Sequence, residues 1–360
     1  MPDDVASAPT PSLRSIGLAD IQKQFATLQV AERFFDSIVL FALFDLGVFA
    51  ALAEGPGTAS QLAQRLGCSE ETLVAILDAA VALKILGVRQ GHYEAGEALL
   101  DCLGRPGSPA YIGEWIAFLH ALAAPLLQLG AGARDERPPG ALFEDMGGDS
   151  LPARRMTRAM DAYARTRGVE LADRMDFSGT RTLLDLGCGP GTYSLAIVER
   201  FPEVRATLLD LEQRIAEARE LVADRGMRDR VEFVAGDAFA YRPRHGFDVV
   251  LVSNTLHMLG PDLSRRLLVS VFSMVNPGGR LLVQAQYLND DRRSPRWPTL
   301  LNLIQRVGTQ YGRNHSLGET IAWLSEAGFR DIEHVPLSAW NVNSVLVGRR
   351  PHDPGEPASP

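Results

Sequence analysis

The stretch Leu-Leu-Asp-Leu-Gly-Cys-Gly-Pro-Gly-Thr-Tyr-Ser-Leu-Ala-Ile-Val, residues 183–198, limits what this chain can fold into more than any other. Gly187, Gly189 and Gly191 stand at alternate positions between an apolar run and a helical pattern. A strand passing through a glycine-rich turn into a helix is the nucleotide-binding corner of doubly wound sheets. Ligands sit there at the carboxyl ends of the strands, where strand order reverses. Glycine lets a ligand approach the backbone closely, and the helix N-terminus offers free N–H groups. A dinucleotide-binding turn needs G-x-G-x-x-G, and Thr192 stands where the third glycine belongs. The turn therefore points away from a pyrophosphate ligand.

The residues after position 179 extend this corner into a sheet. Apolar runs predict strands over 181–186, 205–209, 231–235, 248–252 and 280–286, with helices starting near Thr192, Glu212 and Pro261. Such alternation implies parallel pairing with right-handed crossovers. Ser316 and Glu319 form a capping box that starts a last helix, and short strands follow over 331–336 and 344–347. The fold class is α/β, a doubly wound Rossmann-like sheet over 179–350.

Two acids fall at the ends of these strands. Asp210 lies about twenty residues past the turn, where a carboxylate accepts from both ribose hydroxyls. Asp237 ends the third strand, where a carboxylate can accept from the exocyclic amine of adenine. Either alone reads equally well as a helix cap. Together with the glycine turn they describe a site for a nucleoside without a pyrophosphate.

The first half is mostly helical. Residues 36–54 are apolar nearly all round and should be buried, against another chain if not within this one. Thr58 with Gln61 caps a helix that Gly67 ends, Ser69 caps the next, and 87–95 reads as a hairpin. Over 21–108 the pattern is a winged helix-turn-helix. Its second helix carries Glu70, Glu71 and Asp78 and no Lys or Arg, a face that repels a duplex. Dimerisation suits it better than reading DNA. Residues 109–178 form a further helical segment, with Trp115, Phe118, Met156, Met160 and Tyr163 as core or pocket wall.

A formal net charge of -8 offers nothing to nucleic acid or to an anionic membrane. Cys68, Cys102 and Cys188 are far apart, which suits a reducing cytoplasm rather than a disulfide framework or zinc site. No apolar run reaches membrane-spanning length, and residues 1–12, without a basic stretch followed by an apolar one, are not expected to be a secretory signal. Residues 1–20 and 351–360 read as disordered tails.

The set "LLDLGCGPG", "LLDLEQ", "FVAGDAF", "FDVVLVSNTLHML" and "VNPGGRLLV", in this order, resembles the class I S-adenosylmethionine-dependent methyltransferases. With the helical half before it, the chain resembles their small-molecule O-methyltransferases, over roughly residues 23–350. The resemblance implies S-adenosylmethionine as cofactor, a homodimer, and a small hydroxylated acceptor. It implies Gly187 at the methionine end of the cofactor, Asp210 at the ribose, and Asp237 with Ala238 at the adenine. Ser253 stands where many plant members place a lysine against the cofactor. The family's sheet adds an antiparallel strand, for which 344–347 is the candidate.

Methyl transfer to a hydroxyl needs a group that aligns the oxygen and removes its proton. Of seven histidines, none are spaced as helical metal ligands, and no metal site is expected. His257 follows the fourth strand and matches the general base of the family's His-Asp-Trp signature, with Met258 and Leu259 replacing Asp and Trp. Gln284, Gln286, Asn343 and Asp262 are the candidates to orient it. Residues Trp297, Leu300, Leu301, Ile304 and Tyr311 have partly helical spacing, and the resemblance implies that their segment lines the acceptor pocket. The adjacent Asp290 and Asp291 lack a nearby third ligand for Mg²⁺.

The expected function is transfer of a methyl group from S-adenosylmethionine to a hydroxyl of a small aromatic or polyketide-like molecule. Transfer to carbon or nitrogen, or a non-methylating relative of the fold, are the alternatives among enzymes. A ligand- or DNA-binding regulator using the helix-turn-helix is the alternative of another class.

Overall fold

The computed structural model describes residues 17–134 and 151–353. Most of the two expected tails, 1–16 and 354–360, lies outside the described residues. The chain divides into two compact units, Met1–Arg105 and Pro106–Pro360.

The first unit holds α1 (Leu18–Glu32), α2 (Phe34–Asp45), α3 (Val48–Ala53), α4 (Ala59–Leu66), α5 (Glu70–Ala82), β1 (Gly87–Arg89), β2 (His92–Glu94) and α6 (Glu97–Leu103). Thr58 and Gln61 close the capping box of α4, with Thr58 N–H donating to Gln61 Oε1 at 2.9 Å. Gly67 ends that helix at φ 63° and Ser69 caps α5. The β1–β2 turn is the two-residue type that matches strand twist, with Gln90 and Gly91 both at positive φ. Tyr93 Oη donates to Asp78 Oδ1 at 2.7 Å and pins this wing to α5. Of the apolar stretch 36–54, α3 is buried, but α2 buries only Leu43 within the unit. Phe25, Phe34, Phe35 and Ile38 are half-exposed or more, so their burial needs something beyond this unit.

The second unit begins with α7 (Gly113–Leu127), α8 (Leu129–Arg134) and α9 (Leu151–Arg174). The sheet follows: β3 (Thr182–Leu186), α10 (Thr192–Arg200), β4 (Arg205–Asp210), α11 (Glu212–Asp224), β5 (Val231–Ala235), β6 (Phe247–Ser253), α12 (Pro261–Phe272) and β7 (Val275–Ala285). It ends with α13 (Arg296–Gly308), α14 (Leu317–Ala327), β8 (Arg330–Pro336) and β9 (Ser344–Arg349). Strand order is β5-β4-β3-β6-β7-β9-β8. The strands from β5 to β7 pair in parallel, and β9 runs antiparallel to both its neighbours. Residues 344–347 thus lie in the antiparallel strand. Order reverses between β3 and β6, the switch point where a doubly wound sheet binds its ligand.

The expected strands and helix starts match closely because strands buried on both faces read as unbroken apolar runs. The largest departure is β7, which begins five residues before 280. Residues Asn276-Pro277-Gly278-Gly279 lie before the expected strand, yet they extend it through an irregular register beside Phe247 and Val249.

Candidate active site

Residues at the carboxyl ends of β3, β4 and β6 form one end of a cavity of about 440 Å³ in the second unit. Gly187, Gly189, Asp210, Ser253 and His257 all line it. Gly191, Asp237 and Ala238 do not, although Asp237 follows β5 at the same sheet edge. Asp237 Oδ1 accepts from Phe239 N–H at 2.8 Å, the bond of a turn cap, and the residue is exposed. Ala238 packs against the apolar cluster under that edge.

The glycines divide their work. All three have positive φ. A methyl group on Gly191 would lie 2.7 Å from Leu208 Cδ1, so this glycine seats α10 on β4. It does the packing that a dinucleotide turn gives to its third glycine. Thr192 is then free to donate from Oγ1 to Asp161 Oδ1 at 2.6 Å, tying α10 to α9. A methyl on Gly189 would meet nothing within 4 Å, so its bare backbone faces open space.

Asp210 braces this turn: Gly189 N–H donates to Oδ2 and Leu211 N–H to Oδ1, each at 2.7 Å. Burial raises its pKa above the ordinary carboxylate value, although the two backbone donors oppose the shift. Asp185 is a second buried acid in the cavity, which the sequence reading passed over. Ser194 Oγ donates to its Oδ2 at 2.6 Å, and Oδ1 has no hydrogen-bond partner among the described residues. Burial pushes this carboxyl up to about 7. An acid inside a strand buried on both faces was the available signal, since such residues are almost never enclosed without a partner. Thr255, also unread, places Oγ1 within 3.1–3.4 Å of the carbonyls of Ser253, Leu186 and Gly187, joining the ends of β6 and β3.

The other end of the cavity is apolar. Trp115 and Phe118 of α7 and Met156, Met160 and Tyr163 of α9 all line it. The Trp115 and Tyr163 rings lie 4.5 Å apart between centroids. From α13 come Leu301, Ile304 and Gln305. Trp297, Leu300 and Tyr311 do not line the cavity and are exposed at 40%, 40% and 63%. Only one face of α13 reaches the cavity, so Leu301 and Ile304 alone among the five act as wall.

His257 sits on a 3-10 turn, Leu256–Met258, between the polar and apolar ends. Its Nδ1 is buried without a partner among the described residues, which leaves Nε2 as the nitrogen presented to the cavity. Burial, with a smaller contribution from His315, lowers its pKa from 6.5 to about 4. Among the described residues no hydrogen bond joins it to Gln284, Gln286, Asn343 or Asp262. Gln286 Nε2 instead donates to Tyr163 Oη at 2.9 Å, and the side-chain amides of Gln284 and Asn343 are buried beside the hydroxyls of Tyr193 and Tyr163. Asp290 and Asp291 are occupied as turn caps: Asp290 accepts from Ser316 Oγ at 2.7 Å and Asp291 from Arg293 N–H at 2.9 Å.

Glycine turn, acid-tipped second strand and a cavity that continues into an apolar chamber define a Rossmann-like methyltransferase. The chain belongs to the O-methyltransferase family: residues 129–330 match its O-methyltransferase domain and residues 28–98 its dimerisation domain. It is 33% identical over 325 residues to the mitomycin biosynthesis 6-O-methyltransferase of Streptomyces lavendulae, covering 85% of this chain and 88% of that one. It is 29% identical over 313 residues to the 3-hydroxy-5-methyl-1-naphthoate 3-O-methyltransferase of Streptomyces sahachiroi, covering 86% and 90%. The solved S-adenosylmethionine-dependent methyltransferase SibL superimposes with a TM-score of 0.72 at 25% identity, covering 91% of this chain and 99% of that one. The protein is an enzyme whose methyl donor is S-adenosylmethionine. No helix among the described residues is long and apolar enough to cross a membrane.

Proposed function

We propose that the protein methylates a hydroxyl of a small aromatic or polyketide-like molecule, with His257 as the general base. The cavity carries this reading: it runs without a break from the glycine turn, past His257, into a chamber walled by Trp115, Phe118, Met156 and Met160. The aromatic acceptor named for the Streptomyces sahachiroi relative supports the same class.

The residues present fit the cofactor. Asp210 would take the ribose hydroxyls, the open backbone of Gly189 would receive the nucleoside, and Gly187 and Ser253 would hold the methionine portion. Asp237 and Ala238, which follow β5 at the same sheet edge, would hold the adenine. Asp185 Oδ1, buried without a hydrogen-bond partner among the described residues, would receive the ammonium. Bound S-adenosylmethionine supplies a methyl carbon on a positive sulfur. The apolar chamber would orient the acceptor and exclude water, and His257 Nε2 would take the hydroxyl proton as the oxygen–methyl bond forms in line and the sulfur–methyl bond breaks, leaving S-adenosylhomocysteine. Burial keeps His257 neutral at physiological pH, so the proton-accepting form is the resting one.

Label from methyl-labelled S-adenosylmethionine is expected to appear on oxygen in a panel of phenols and hydroxylated polyketides. Label recovered on nitrogen or carbon alone would move the assignment to those acceptors, and cofactor binding with no transfer to any acceptor would overturn it.

Asp185 gives a pH signature. Its pKa in the free enzyme is raised to about 7, so below neutrality the carboxyl is largely protonated. A bound ammonium favours the charged form and draws the pKa down. Binding near pH 6.5 therefore releases a proton. Calorimetry of S-adenosylhomocysteine binding in buffers of different ionisation enthalpy is expected to show that release, and Asp185→Asn to abolish it.

The dimerisation domain and the exposed Phe25, Phe34 and Phe35 support a homodimer. Phe34→Asp combined with Phe35→Asp is expected to yield monomer in light scattering; a persistent dimer would place the interface elsewhere. The acidic start of α5, at Glu70 and Glu71, supports a protein without a nucleic-acid partner. Three free cysteines support a cytoplasmic location.

A further inference from the structure

Behind His257 lies a second cavity of about 10 Å³, lined by His257, Gln286, Asn314 and His315 together with Leu256, Ala285, Tyr287 and Thr320. Each of the four polar residues has one buried atom without a partner: His257 Nδ1, Gln286 Oε1, Asn314 Oδ1 and His315 Nδ1. The volume is about that of one water, and a buried water needs two to four polar partners.

Hydrogen bonds elsewhere fix what these atoms are. His315 Nε2 lies 3.0 Å from the Leu256 carbonyl, which only accepts, and 3.2 Å from Ser264 Oγ, whose own hydrogen goes to the same carbonyl at 3.4 Å, so Nε2 carries the hydrogen. Burial lowers the pKa of His315, so the ring is neutral and its Nδ1 is a bare lone pair. Asn314 Nδ2 donates to Pro298 O at 2.8 Å, which makes its free atom the carbonyl oxygen. Gln286 Nε2 donates to Tyr163 Oη, and its free atom is likewise the carbonyl. Three acceptors thus surround the cavity. A base that takes a proton on Nε2 must carry its resting proton on Nδ1, so His257 is the single donor.

We infer that a water occupies this cavity, accepts from His257 Nδ1–H and donates to His315 Nδ1 and to Asn314 or Gln286, making His315 the positioning residue for the general base. One incoming and two outgoing hydrogen bonds match the valence of a water. The arrangement holds the imidazole in the Nδ1–H tautomer and shares the charge that appears when Nε2 takes a proton, the task an aspartate performs in a hydrolase triad. It also answers the difficulty of burial, which holds His257 far below a phenol in proton affinity. Charged groups near His315 are Glu319 on α14, with Oε2 at 4.0 Å from Nδ1, and Arg292 from the loop before α13. Glu319 is taken up by Ser316 N–H, Arg313 and Arg292.

The inference rests on His257 as general base, and the experiment separates the two. A crystal structure at about atomic resolution is expected to show a water within hydrogen-bonding distance of both His257 Nδ1 and His315 Nδ1; continuous side-chain packing there would overturn the inference without touching the base. His315→Leu is expected to lower kcat about tenfold to a hundredfold, the worth of one buried orienting hydrogen bond, while KM for the acceptor and affinity for S-adenosylhomocysteine hold. His315→Gln, which restores a carbonyl acceptor, is expected to recover most of the loss. In a His257→Ala background His315→Leu should change nothing more, because the two act as a unit. Additive losses, or equal losses in kcat with Leu and Gln, would make His315 merely structural and overturn the inference. Wild-type turnover in His257→Ala would remove the base itself.

Discussion

His257→Ala is expected to lower kcat about 10²–10⁴-fold, the usual worth of a positioned general acid–base group. S-adenosylhomocysteine affinity should stay near the wild-type value, because the residues proposed to hold the nucleoside are others. The effect should shrink as the acceptor becomes more acidic, since an ionised phenolate needs no base. A steady-state series over phenols of different pKa checks both parts. An equal loss for acidic and weakly acidic phenols would show that His257 packs against the acceptor and takes no proton.

Asp210→Ala is expected to weaken S-adenosylhomocysteine binding about a hundredfold or more. A hydrogen bond to a charged group contributes about 1.5–3 kcal/mol, and this carboxylate has two ribose hydroxyls to meet. The competing view is that Asp210 only braces the turn through the Gly189 and Leu211 amides. Asp210→Asn separates them, because its carbonyl still accepts from one of those amides but has lost the charge. A large affinity loss in Asn as well as Ala supports the ribose contact. Near-normal affinity in Asn, measured by calorimetry, would leave Asp210 as a brace.

The two residues differ in how far the sequence could reveal them. Asp210 was legible because it ends a strand at a fixed distance from a glycine turn, and both features follow from local pattern. The sheet was legible for the same reason. Helix α1 was not, since Leu18–Glu32 buries nothing within its own unit and carries little apolar periodicity. His257 was legible as a histidine just past a strand end. Its surroundings were not. Asn314 and His315 arrive beside it from more than fifty residues away, in a loop that no periodicity marks. The orienting groups expected at Gln284, Gln286 and Asn343 were judged by their place along the chain, whereas the fold gives Gln286 Nε2 to Tyr163. Asp185 lay within the quoted motif, but its role depends on burial, which a single strand does not disclose.

The bond from Thr192 to Asp161 has a consequence for changing what this enzyme accepts. The chamber wall rides on α9 through Met156, Met160 and Tyr163, whereas the floor proposed for the donor is made by strand ends. Asp161, anchored by Thr192 and by Arg225 at 2.8 Å, sets the depth at which α9 lies over α10. Wall residues can therefore be exchanged as interchangeable inserts in a fixed frame, so long as that anchor stays. Loosening it would shift the whole insert at once, and acceptor range and donor grip would drift together.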